Sequence, residues 1–101
     1  MAACQQHMFS PKAGEEFVGE ILYRRRGRVE TDHDLYYDSG APTLFVVSTE
    51  SPRGGPSHGC SHTRYSLDEY LGAHPDNRQR VVDILHERVG RVLQERAGLN
   101  R

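Results

Sequence analysis

Apolar and polar side chains alternate through residues 17–37, interrupted by Arg25, Arg26 and Gly27, and this pattern predicts a β-hairpin. Two loop lengths are open. A two-residue turn at Arg26-Gly27 sets Tyr23 opposite Glu30 and Ile21 opposite Asp32. A three-residue loop over 25–27 sets Tyr23 opposite Val29, Ile21 opposite Thr31 and Phe17 opposite Leu35, which gathers the apolar side chains on one face. It also gives Gly27 the left-handed position of a bulged type I turn. The three-residue loop is the expectation. It places Arg24 across from Arg28 at the tip, Glu20 across from Asp32 and Val18 across from Asp34.

Asp38, Ser39, Gly40, Ala41 and Pro42 form a turn cluster. Residues 43–49 follow, apolar or β-branched on both alternating faces. Such a strand is buried on both sides, by a helical cover and by either a loop or a second subunit. Residues 50–63, with two prolines and three glycines, read as one long mobile connection.

The helical half opens at Tyr65. Ser66 and Glu69 have the spacing of a capping box, with Tyr65 and Tyr70 at its staple positions. A short helix to about Ala73 stops before Pro75. Residues 76–79 offer a second cap, and a longer helix runs to about Ala97 with Gly98 as terminator. Val81, Val82, Leu85, Val89, Val92 and Leu93 fall within an arc of roughly 120° and read as its core-facing stripe. Arg80, Asp83, Glu87, Arg91 and Glu95 line the opposite side, Glu87 and Arg91 as an i,i+4 pair. Ile84 falls off the stripe.

These elements make an α+β fold in the order β-β-β-α-α: a three-stranded antiparallel sheet packed by a short and a long C-terminal helix. Residues 15–101 form the single small domain and residues 1–14 a flexible N-terminal tail.

A length of 101 residues suits one domain, and a net charge of −1 gives no global attraction for nucleic acid or anionic membrane. Twelve of the 13 basic residues are arginine, the residue suited to bidentate contacts with carboxylate or phosphate. The N-terminus lacks a signal-peptide pattern, and no stretch matches a membrane span. The expectation is a cytoplasmic protein, without membrane contact, whose Cys4 and Cys60 stay reduced.

Four constellations carry candidate chemistry. His58, Cys60 and His62, with Cys4 and His7, are candidate zinc ligands, although their spacing departs from structural zinc motifs. Cys60 with His58 or His62 is a candidate thiol nucleophile and base, with no evident third group to orient it. Glu20, Asp32 and Asp34 share one sheet face and offer oxygen ligands to a divalent cation. The arginine tip, Arg24, Arg25, Arg26 and Arg28, with Tyr23 and Tyr36 nearby and Arg53 in the long loop, is the candidate contact surface.

The composite expectation is a small non-enzymatic binding protein of accessory or inhibitor type, without a cofactor, docking on a protein partner through that tip and loop. Nucleic-acid binding by the same hairpin is the alternative, and a zinc module or thiol enzyme centred on residues 58–62 comes third. A homodimer is an open question raised by the two-sided strand 44–47 and by Ile84.

Overall fold

The computed structural model describes residues 9–52 and 60–99. Four strands run in sequence order as one antiparallel meander: β1 (Glu15–Arg26), β2 (Val29–Asp38), β3 (Thr43–Pro52) and β4 (Ser61–Ser66). Helix α1 (Leu67–Ala73), a 3-10 turn (Pro75–Asn77) and helix α2 (Arg78–Leu99) follow. The α+β class holds, with one strand more than expected. The extra strand, β4, pairs from Glu50↔Ser61 to Phe45↔Ser66 and claims the end of the presumed loop. Residues 53–59 lie outside the described residues.

The hairpin closes differently from either anticipated turn. Arg26 pairs with Val29, leaving a two-residue turn of Gly27 and Arg28. Gly27 has φ +59, while Arg28 has no positive φ, the pattern of a type II′ turn with glycine first. The opposed arginines are therefore absent: Arg24 faces Thr31 and Arg25 faces Glu30. Farther along, Tyr23 faces Asp32, Glu20 faces Asp34 and Phe17 faces Tyr36. The shifted position of the turn sets the pairs near the tip, and bulges between Glu20 and Leu22 and between Phe17 and Gly19 change the register again farther along β1. Each inserts one residue on β1, so no single register describes both ends of the hairpin. The inserted residues Val18 and Ile21 both join the helix-side core.

Helices cover one face of the sheet. Ile21, Leu35 and Val46 meet Tyr70, Val81 and Ile84 there, and all six are buried. Ile84 is 5% exposed, so it belongs to the core rather than to a surface. It seats against Gly19, where an added Cβ would lie 2.6 Å from Ile84 Cγ2. Arg80 donates from Nε and Nη2 to the Glu20 carbonyl at 3.2 and 3.0 Å, and Arg88 pairs with Glu16. These contacts run α2 antiparallel to β1. By Arg88 the helix has reached the end of the sheet, and its remaining turns pass beyond it.

The anticipated stripe consequently divides. Val81 is buried and Leu85 packs on the core, but Val89, Val92 and Leu93 are 57%, 40% and 62% exposed. The capping box of α1 forms as read: Ser66 Oγ accepts the Glu69 amide at 3.1 Å and Glu69 Oε1 accepts the Ser66 amide at 3.0 Å. Glu87 and Arg91 also pair, at 3.3 Å.

On the sheet's second face, Tyr36, Phe45 and Val47 form a smaller buried cluster. Phe9 covers it, with its ring centroid 5.1 Å from that of Tyr36 in an edge-on arrangement. Strand β3 is thus buried on both sides within one chain, and no second subunit is needed to explain it. The segment leading into β1 is anchored by Phe9, by the Lys12 amide on Glu15 Oε1 at 3.0 Å and by the turn at Gly14, φ +90. Within the stretch expected to be a tail, Phe9 thus packs on the sheet while residues 10–14 are exposed; residues 1–8 lie outside the described residues.

Candidate functional site

The hairpin end of the sheet lies beyond the start of α2, and its backbone is fixed by ladder pairs up to Arg26↔Val29. Tyr23, Arg24, Arg25, Arg26 and Arg28 are all exposed there. Alternation along β1 puts Tyr23 and Arg25 on the face away from the helices and Arg24 and Arg26 on the helical side. Arg28 occupies the turn itself. Four guanidinium groups thus surround one projecting loop, held by strands instead of by a flexible tail.

Directly below the tip on the open face lie Glu20, Asp32 and Asp34, brought together by the Glu20↔Asp34 pair and the two-residue strand period. One carboxylate oxygen from each lies within 4.8 Å of the others. Burial raises the Asp34 carboxyl to about 6, with Asp32 and then Glu20 adding repulsion. Asp32 is raised too, by burial first and then by Glu20 and Glu30. Oxygen ligands in this arrangement can converge on a hard divalent cation. Their other consequence is a strongly negative patch beside a strongly positive tip.

The middle of the open face is aromatic. Tyr36 stacks on Phe45 with centroids 5.4 Å apart, and Arg64 lays its Cζ 3.7 Å from the Phe45 ring centroid. Arg64 Nη1 also donates to Glu15 Oε2 at 2.9 Å. Tyr36 is 8% exposed and sits at the far end of the hairpin from the arginines. Its anticipated place beside the tip is corrected accordingly: Tyr36 is a packing residue. Arg64 was not anticipated, because its position depends on β4, a six-residue strand with little apolar alternation.

A buried polar chain links the sheet to the helices. Asn77 Nδ2 donates to the Tyr70 hydroxyl at 2.9 Å, and that hydroxyl lies 2.7 Å from His33 Nδ1. The arrangement satisfying all three has Tyr70 donating to His33, with the imidazole proton on Nε2. Burial lowers the His33 pKa, aided by His74 and Arg24, which favours the neutral ring. Tyr70 is raised by burial, against the Asn77 hydrogen bond. Among the described residues no fully buried side-chain nitrogen or oxygen lacks a partner, as expected of a hydrogen-bonded packing contact between sheet and helices.

Of the presumed zinc and thiol groups, Cys4, His7, His58 and the loop residue Arg53 lie outside the described residues. His62 Nδ1 is 3.0 Å from Thr49 Oγ1, and its ring meets Phe9 edge-on. Cys60 is disulfide-bonded, contrary to the expectation of reduced thiols, and its sulfur lies 3.6 Å from Ser51 Oγ. A sulfur held in a disulfide is neither a nucleophilic thiolate nor a metal ligand. Among the described residues, Glu20, Asp32 and Asp34 are the group with metal-ligand geometry.

No described helix is long and apolar enough to cross a membrane. Comparison with protein-family models, curated proteins and solved structures gives no match. No activity is therefore carried over to this chain from another protein.

Proposed function

We propose that this chain is a small non-catalytic binding protein that docks on another protein through the hairpin end of its open sheet face. The observation that supports this is the adjacency of opposite charges: the exposed arginine tip stands immediately above the Glu20, Asp32 and Asp34 cluster. The carboxylates repel a phosphate backbone wherever it extends past the tip, whereas a protein surface can match both signs in register. Arg25, on the open face beside exposed Tyr23, is the central contact. Arg24, Arg26 and Arg28 widen the footprint, and Tyr23 supplies a rigid apolar body with a polar end.

A nucleic-acid ligand is the competing reading, because four arginines and a tyrosine also suit phosphates and a stacked base. Two measurements separate them. First, the protein is titrated against labelled single- and double-stranded DNA and RNA at low salt, with no retention expected. Retention with a steep salt slope that Arg25→Ala and Arg26→Ala flatten would replace the protein-partner reading with the nucleic-acid one. Second, the protein and an Arg25→Glu, Arg26→Glu variant are used as bait in the native cell, and captured proteins are purified and retested for direct binding. A partner bound directly by the first and lost by the second is the expected result. Equal binding by both removes the tip from the interface.

A further inference from the structure

The exposed part of α2 has no role in the fold described above. Its apolar positions Val82, Leu85, Val89, Val92 and Leu93 lie along one stripe, and this stripe is rotated from the side carrying buried Val81 and Ile84. Beyond Arg88, Val89, Val92 and Leu93 stand in solvent. At its base is an apolar groove of about 180 Å³, lined by Val18, Tyr37, Leu44 and Leu85 and rimmed by the Glu16–Arg88 ion pair. Three exposed side chains alone fall short of the ~1,000 Å² that a specific interface buries, so a stable contact has to include the groove.

We infer that a second copy of this chain covers that surface, through antiparallel pairing of the two α2 helices. The sequence of α2 supports this occupant. A two-fold axis passing midway between Val89 and Val92 sets Val89 of each copy against Val92 of the other. The same axis sets Leu85 against the aliphatic stem of Arg96 from the second copy, in the alternating layers of an antiparallel coiled coil. On one flank it brings Glu95 of the second copy to Arg88, and Arg96 of the second copy toward Glu16. The negative-positive rim of the groove thus meets a positive-negative pair, and the symmetry makes the match twice. Parallel pairing gives no such match, since Arg88 then faces Leu93. The projecting turns of each copy lie along the groove of the other, a self-complementary arrangement that closes at two subunits. This surface differs from strand β3 and from Ile84, both of which are buried within one chain.

Sedimentation equilibrium of the full chain at high micromolar concentration tests the inference, with circular dichroism to confirm folding. A dimer is expected. Leu93→Glu and Val89→Asp, both at exposed positions, are expected to weaken it at least about tenfold while leaving the helix signal intact. Glu95→Arg is expected to weaken it about fivefold, and adding Arg88→Glu to that variant to recover part of the loss. A monomeric wild type overturns the inference, as does a dimer indifferent to Leu93→Glu and Val89→Asp. A dimer that those two variants dissociate but Glu95→Arg leaves unchanged overturns the antiparallel pairing.

Discussion

Gly19 is required by the close approach of α2 to β1. The Cβ of alanine there would lie 2.6 Å from Ile84 Cγ2, and the buried isoleucine has little room to retreat. Gly19→Ala is expected to destabilise the fold by about 1–3 kcal/mol in chemical denaturation, the usual cost of overpacking a filled core. Asp34 is a liability of opposite kind. Its carboxyl titrates at about 6 in the fold, against 3.8 when free, so ionisation is disfavoured by folding. A raised folded value means that the native state binds the extra proton, and stability rises as pH falls from about 6 toward 4. Asp34→Asn is therefore expected to raise stability at pH 7 by about 1 kcal/mol, allowing for solvent screening of this half-buried group. The gain should shrink on acidification and vanish near pH 4. A loss of stability at pH 7 would show that the carboxylate serves as an acceptor or ligand instead.

At the level of elements, the capping box on α1 is the clearest local signal to survive folding. Ser66→Ala removes the acceptor of the Glu69 amide and is expected to cost about 1 kcal/mol, measured by thermal or denaturant unfolding. Both partners lie within one turn of chain, and for that reason the motif was legible in the sequence. The hairpin was legible as a hairpin but not in its pairing. Alternation does not fix which two residues make the turn, and two bulges on β1 shift the register again while leaving the residue types unchanged. Strand β4 is not legible in the sequence because Ser61, His62, Thr63 and Arg64 carry no apolar alternation. That segment becomes a strand by filling the free edge of β3.

Across the whole molecule, the Asn77–Tyr70–His33 chain fastens the helical layer to the sheet. His33 has a folded pKa below its ordinary 6.5, so the unfolded chain takes up its proton first. Its contribution to stability is complete above about pH 6.5 and is lost as pH falls through the lowered folded value. Asp34 acts in the opposite direction over part of the same range. The wild type is therefore expected to have a flatter stability profile between pH 7 and 5 than Asp34→Asn, in which only the raised Asp32 still opposes the histidine effect. Parallel profiles for the two proteins, from denaturant titrations at each pH, would refute this balance. The longest dimension of the molecule, 53 Å, runs to more than twice its shortest, 24 Å, as expected when a helix of about 33 Å overruns the sheet it packs on.

The sequence by itself determined the α+β class, the capped short helix before Pro75 and the long helix after it. These follow from periodicity and from contacts between near neighbours, which act before any distant part of the chain is in place. Tertiary structure alone decided which part of the α2 stripe is buried, that Ile84 is core, that Tyr36 lies under Phe9, and that Arg25 faces Glu30. Each of these depends on where one element ends relative to another. Helical periodicity reveals an apolar stripe but not the length of the sheet beneath it. Alternation likewise reveals a strand but not the bulges that shift its partner.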